Sequence, residues 1–264
     1  MTELETGRDS SVARAAAVRG GVALVTGASG GVGLAVARAL GARGMRLALV
    51  ARQADGLRRA ADSLDIGDPA AARTYPCDVG DAGEVEQVVQ RVVRDFGRLD
   101  VLVNSAGVSL SADASVAETS PLDWERMFRT NVAGTFHACR AALPQLRATG
   151  GQIVNVLSLG AHRLRAGSVG YAASKYAQRA LTEGLALEEA PGVRICSVSP
   201  GPVDTGIWDL KDEPPPPRVR DLMLTAADVA AAVDWLVSLP AHVVVPELRI
   251  APRLDPFEAE PVAP

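Results

Sequence analysis

The sequence predicts a single α/β domain, a Rossmann-type doubly wound parallel sheet with helices on both faces, and three observations predict it. Short aliphatic or β-branched runs alternate with amphipathic segments from residue 20 onward. The runs are near-continuously hydrophobic rather than apolar at every second position, as in strands covered on both faces. Composition agrees: 48% of the 264 residues are hydrophobic but only 4% aromatic, which suits small-residue helices packed on buried strands.

Taken in order, residues 1–19 are polar and alanine-rich without periodicity and are expected to form a mobile extension ahead of a domain at 20–264. The run VALVTG from residue 22 is the first strand, followed by glycines and a helical pattern at 31–43. RLALVA from 46 gives the second strand and 54–64 the next helix. RTYPCD from 73, DVLVNSAG from 100, GQIVNVLS from 151, VRICSVSPG from 193 and PELRIAP from 246 complete about seven strands. Helical patterns at 81–96, 121–148, 170–189 and 226–239 lie between them. Only 204–224 breaks the rhythm, because the four prolines of WDLKDEPPPPR exclude a regular helix or central strand. It reads as a substrate loop or lid, or as a plain surface loop.

Several function classes are disfavoured. A net charge of −4 and a pI near 5.5 leave no basic excess for a nucleic-acid backbone. Cys77, Cys139 and Cys196 are far apart and form neither a C-x-x-C pair nor a Cys/His cluster, so buried thiols in a reducing compartment are expected, with no metal. No apolar run reaches the roughly eighteen residues that span a bilayer. The N-terminus lacks the apolar core of a signal peptide, and the cytoplasm is the expected location.

The turn after the first strand reads T-G-A-S-G-G-V-G, with Gly27, Gly31 and Gly33 in T-G-x-x-x-G-x-G spacing and Ser29, Gly30 and Val32 among them. Glycines let the backbone turn and approach a pyrophosphate, and the following helix offers free N–H groups to it. Arg52 follows the second strand, where dinucleotide folds usually carry an acid for the ribose 2′-hydroxyl. An arginine there can pair with a 2′-phosphate, so NADP(H) is expected over NAD(H), unless Arg52 faces solvent and Asp55 contributes instead. Asp78 and Val79 end the third strand. The Asp78 carboxylate could accept an adenine amino group or cap the next helix.

Tyr171 and Lys175 are four residues apart, which stacks a phenol and an ammonium on one face of a helix. A phenol that ordinarily titrates near pKa 10 is a poor proton-transfer group at neutral pH until a cation assists it. Ser158, thirteen residues before Tyr171, ends an apolar run and could donate to an oxyanion. Read singly, each of these is as well a surface side chain, a turn serine or, for Asn131, a hydrogen-bonding residue inside a helix.

With the glycine turn, Asn104-Ser105-Ala106-Gly107, Asn131, Ser158, Tyr171, Lys175 and Pro200-Gly201 all in order and spacing, the chain resembles the short-chain dehydrogenase/reductase (SDR) family from about residue 21 to 205. The resemblance implies an NADP(H)-dependent oxidoreductase, a ketoreductase or alcohol dehydrogenase. Tyr171 would be the general acid/base, Lys175 would lower its pKa and hold the nicotinamide ribose, Ser158 would bond the substrate oxygen, and Asn131 would support a relay water. Gly27, Ser29, Gly30, Val32, Arg52, Asp78, Val79, Asn104, Ala106 and Gly107 would line the dinucleotide, and Pro200, Gly201, Val203 and Thr205 its nicotinamide end. It also implies a homo-oligomer, tetramer or dimer, built on the helices that carry Ala138, Ala141, Ala142, Ala177, Ala180, Leu181, Leu185 and Leu187.

Two departures stand out. Ser105 occupies a place where the family often has a second asparagine, and residues 242–257 resemble the branch acting on 3-hydroxy-acid-type and related small carbonyl substrates. Substrate contacts are expected from Ser109, Leu110, residues 159–165 and the 204–224 loop. His162, Arg163 and Arg165 would suit a carboxylate, whereas Leu159, Leu164, Trp208 and Leu210 would suit an apolar group. A dehydratase or epimerase on the same scaffold, or a silent dinucleotide sensor, are the alternatives.

Overall fold

The computed structural model describes residues 20–109 and 115–257. The expected N-terminal extension and Leu110 lie outside the described residues. The first two apolar runs form β1 (Val22–Thr26) and β2 (Arg46–Ala51), which pair in parallel with Val25 opposite Leu49. The remaining sheet strands are β3 (Ala72–Pro76), β4 (Val101–Asn104), β5 (Gln152–Val156) and β6 (Arg194–Pro200). A short excursion follows, in which β7 (Val203–Asp204) pairs with β8 (Leu224–Thr225), and β9 (Glu247–Ile250) then returns to the main sheet. The seven-stranded order is β3-β2-β1-β4-β5-β6-β9, and every neighbouring pair is parallel.

Helices cover both faces because successive strand residues point to opposite sides. On one face Ala23, Val25, Leu47, Leu49 and Val103 pack under Val36 and Leu40 of α1 (Gly31–Ala42). Side chains from residues 226–238 close the same layer with Val229, Val233 and Leu236. On the other face Leu24, Ala48, Leu102 and Ile153 lie against a second set of helices, the first of which follows β3. Between β2 and β3 runs α2 (Ala54–Asp62), which contains Asp55 paired with Arg58, so Asp55 belongs to that helix as its position suggests.

The helix after β3 is α3 (Ala82–Phe96), and its N-cap is Asp81, which accepts from the Glu84 N–H at 2.9 Å. Asp78 is therefore not the cap. Its carboxylate instead accepts from the Gly80 N–H at 3.0 Å and pairs with Arg129 at 2.8 Å, because the chain makes one more turn before the helix begins.

The long helical pattern at 121–148 is three pieces: α4 (Pro121–Met127), a π-helical segment (Phe128–Ala133) and α5 (Gly134–Thr149). The wider π turn falls at Asn131, the sort of local distortion that accompanies functional positions. The next helix, α6 (Val169–Glu189), carries Tyr171 and Lys175. The prolines at 214–217 end in α7 (Pro217–Arg220), where Pro217 takes the first helical position, tolerant of a missing N–H. Finally α8 (Ala226–Ser238) starts at a capping box of Thr225 and Asp228, and the Asp234–Arg43 ion pair ties it to the end of α1.

The residues named on these helices divide between the core and the surface. Ala138 and Ala142 are buried against the protein's own sheet, with 2% and 0% exposure, and Leu185 joins the same cluster. Small residues let α5 sit close to the strands. The large exposed apolar side chains on these helices include Leu122, Trp124, Phe136, Val169, Tyr176 and Leu187.

Candidate active site

The sheet order reverses between β1 and β4, and strand ends there open a crevice. The chain leaves β1 through Gly27, whose φ of 70° favours glycine and whose missing Cβ would sit 2.9 Å from the Ala106 backbone. A Cβ on Gly33 would fall 2.4 Å from the Gly27 carbonyl oxygen, so the turn and the first turn of α1 close on each other. Gly30 is different: nothing lies within 4 Å of where its Cβ would be, and as N-cap of α1 it makes no side-chain bond to the helix start. The first-turn N–H groups of a twelve-residue helix are thus left for another acceptor. Such a cradle fits a pyrophosphate.

Thr26 binds the two sides of the crevice together, since its Oγ1 accepts from the N–H groups of Ser105 and Ala106, each at 3.1 Å. Thr205 lies 3.5 Å from the position of a Gly31 Cβ, so the loop after β6 reaches back to the glycine turn. Ser29 is exposed and Val32 half-buried on the core side. Arg52 follows β2 directly and is exposed. Gly107 is exposed at the crevice, with the site of its missing Cβ 3.7 Å from Lys175 Nζ. Val79 is buried, packed against Gly134. The Asn104 side chain points into the sheet and donates to Asn155 Oδ1 at 2.9 Å, so a ligand contact at Asn104 falls to its backbone.

At the end of β5, Ser158 enters a 3-10 turn (Leu159–Ala161) and its Oγ accepts from the Gly160 N–H at 3.0 Å. A Cβ on Gly160 would lie 3.4 Å from both Ser158 Oγ and Tyr171 Cε1, which places the hydroxyl and the phenol ring beside the same small residue. Burial pushes the Tyr171 pKa up, and the Ser158 hydrogen bond pulls it back in part. One turn along α6, Lys175 Nζ is 5.8 Å from the Tyr171 ring centroid. It donates to the Val156 carbonyl at 3.2 Å and to Gln178 Oε1 at 2.9 Å, and burial lowers its pKa to about 8.

Asn131 holds the backbone of Val108 from both sides, accepting from its N–H at 2.8 Å and donating to its carbonyl at 3.0 Å. That bond pair fixes the loop after β4 at the mouth of the site. Gln178 and Thr135 were not singled out from the sequence, although the spacing 171, 175, 178, 182 marks one helix face on which polar residues recur.

The loop residues resolve the substrate expectations unevenly. His162 is not free for a carboxylate: its Nε2 sits 2.6 Å from Glu247 Oε1 of β9 and 3.2 Å from Ser199 Oγ, with 6% side-chain exposure. Sequence distance concealed that pair. Arg163 is exposed, and Arg165 lies 4.7 Å over the Phe257 ring. Phe257 in turn contacts Trp208 at 5.6 Å between centroids, so the C-terminal segment joins the 204–224 excursion to the turn after Ser158. Leu159 approaches Gly201, which also packs against Pro252. Leu164 and Leu210 are exposed, at 68% and 74%. Ser109 accepts from Arg126 through its carbonyl at 3.3 Å. No group of His, Cys, Asp and Glu among the described residues could hold a metal ion, and no described helix is long and apolar enough to cross a membrane.

A parallel sheet in this order, opening at its switch point onto a glycine turn and an uncapped helix, defines the Rossmann-type class of α/β proteins. Within that class the chain belongs to the short-chain dehydrogenase family, whose model matches residues 21–215. It is 34% identical over 238 residues to an uncharacterized oxidoreductase of Staphylococcus saprophyticus, covering 88% of this chain and 97% of that one. Among solved structures it is similar to an alcohol dehydrogenase of the archaeon Thermococcus sibiricus complexed with 5-hydroxy-NADP, at 33% identity and a TM-score of 0.77, covering 87% and 95% of the two chains. A 3-ketoacyl-(acyl-carrier-protein) reductase of Brucella melitensis complexed with NADH is similar at 27% identity and a TM-score of 0.80, covering 89% and 98%.

Proposed function

We propose that the protein is an NADP(H)-dependent oxidoreductase that interconverts a small carbonyl compound and a secondary alcohol. The observation that carries this reading is the placement of Ser158 Oγ and the Tyr171 ring beside Gly160 and hydrogen-bonded to each other, with Lys175 one helical turn away. A reduced nicotinamide supplies the hydride. Ser158 donates to the carbonyl oxygen and steadies the negative charge that grows on it. Tyr171, kept neutral by burial, gives that oxygen its proton. Lys175, an ammonium below about pH 8, offsets the charge left on the phenol.

The solved relatives, bound to an NADP derivative in one case and NADH in the other, support a nicotinamide dinucleotide without favouring either form. Preference for NADP(H) rests on Arg52, an exposed cation beside the crevice in place of an acid that would repel a 2′-phosphate. Three buried free thiols suit a reducing cytoplasm. The exposed Trp124, Phe136 and Tyr176 suit a homo-oligomer.

The test is a panel of ketones and keto acids with NADPH, followed spectroscopically. Wild type oxidises NADPH with at least one member, and Tyr171→Phe loses that activity while still binding the dinucleotide. Full turnover by Tyr171→Phe would overturn the assignment. Tight NADPH binding without turnover on any carbonyl would favour a sensor or a non-redox enzyme.

A further inference from the structure

Gln178 occupies a helix position with 0% exposure, where an apolar side chain would be the simpler occupant. Both ends of its amide are engaged, and the chemistry fixes their sense. The Lys175 ammonium has only donors, so Gln178 Oε1 accepts from it at 2.9 Å and Nε2 is left to donate to Thr135 Oγ1 at 2.8 Å. Thr135 passes its own proton to the Asn131 carbonyl at 2.8 Å. The Asn131 amide donates to Ser174 Oγ at 2.9 Å, and Ser174 donates to the Tyr171 carbonyl at 2.7 Å. The path leaves the Tyr171 backbone, crosses the π-helical segment and returns to the Lys175 side chain. Asn131, Thr135, Ser174, Lys175 and Gln178 are all buried.

We infer that Gln178 is a positioning residue for the reaction, its amide holding the Lys175 ammonium beneath Tyr171 by linking it through Thr135 to the Asn131 carbonyl. This rests on the reading of Tyr171 and Lys175 as the proton-transfer pair. The geometry accounts for a buried amide at Gln178 on the 171, 175, 178, 182 face, opposite Thr135 of α5. The groups facing the ammonium are Tyr171 and Gln178 of α6, the Val156 carbonyl of β5 and Gly107. Tyr171 is the titratable one of these, and the carbonyl and amide are neutral.

Lysine occurs only at positions 175 and 211, so ¹³C-lysine-labelled protein shows two side-chain titrations by NMR. That experiment needs no substrate. Gln178→Met keeps the volume and removes the acceptor, so the Lys175 midpoint falls by about one pH unit, because the charged form loses a hydrogen bond. Gln178→Glu moves it the other way. In parallel, kcat for carbonyl reduction by Gln178→Met falls by about tenfold to a hundredfold, the factor that loss of one bond to a charged group gives, while KM for the carbonyl stays within about threefold.

Should Gln178→Met not fold, Thr135→Val removes both Thr135 bonds, leaves the Lys175–Gln178 bond in place and gives a smaller downward shift. An unchanged Lys175 midpoint, or a shift of the same sign in the Met and Glu variants, would overturn the inference. If no carbonyl turns over with wild type, the functional reading fails while the NMR titration still decides the role of Gln178.

Discussion

Lys175 Nζ lies 5.8 Å from the ring centroid of Tyr171, and burial brings its pKa to about 8 while pushing that of the phenol upward. At neutral pH the pair is therefore a protonated phenol beside an ammonium, the state suited to giving a proton to a nascent alkoxide. For carbonyl reduction, kcat/KM is expected to be level near neutrality and to decline as pH rises through about 8, where Lys175 loses its charge. A pH profile from 6 to 10 checks this. A decline that begins only above the ordinary lysine range would refute the assignment.

Arg52 stands at the end of β2 with its side chain exposed. If it pairs with a 2′-phosphate, Arg52→Asp weakens NADPH binding by one to two orders of magnitude, roughly the 1.5 to 3 kcal/mol of one charge-assisted contact. NADH binding changes little. Fluorescence titration with both dinucleotides measures the ratio, and equal weakening would leave the preference without a physical cause.

The glycines of the turn separate into two kinds. Gly33→Ala drives a methyl group against the Gly27 carbonyl, a backbone contact with no side chain to give way, and is expected to destabilise the fold by about 1–3 kcal/mol. Gly30→Ala meets nothing within 4 Å, so its melting temperature should match wild type while dinucleotide affinity falls. Calorimetry paired with binding distinguishes the two. A Gly30→Ala protein that binds as wild type does would move the pyrophosphate away from α1.

His162 and Glu247 join the turn after Ser158 to the edge strand β9. Burial lowers the His162 pKa against the opposing pull of Glu247, with Arg249 and Arg179 adding to the lowering. Burial also works against the Glu247 carboxylate, but bonds from Ser199 and Arg249 and the charges of His162 and Arg249 bring its pKa below the ordinary 4.5. Both folded values lie below the unfolded ones, so the unfolded chain binds more protons and stability falls as pH drops. The His162 contribution is present above pH 6.5 and is lost below it; that of Glu247 is present above 4.5 and is lost on further acidification. Melting temperatures between pH 8 and 4 should show this, and His162→Gln should flatten the segment below 6.5. An unaltered slope in that variant would assign the acid sensitivity elsewhere.

Much of the fold was legible because its signals are local. Each of the seven sheet strands falls at one of the short runs marked along the chain, with β3 beginning one residue early at Ala72, and α6 was placed by periodicity within one residue of its start. The glycine turn was equally plain, since Gly27 and Gly31 take positive φ values that other residues avoid. The break at Asn131 was not legible, because a single π turn inside a helical run has no compositional signature. Nor was the destination of Asn104, whose partner Asn155 sits on a neighbouring strand fifty-one residues away.

The sequence by itself determined the alternation of strands and helices, the phosphate-cradle turn and the spacing of Ser158, Tyr171 and Lys175, since these depend on short-range periodicity and backbone freedom. Tertiary structure alone decided which polar groups were already engaged. His162 went to Glu247, Asp78 to Arg129, and Lys175 to Gln178, itself tied to Thr135. A buried polar group must find a partner wherever the packing of distant elements puts one, and no pattern along the chain records that choice.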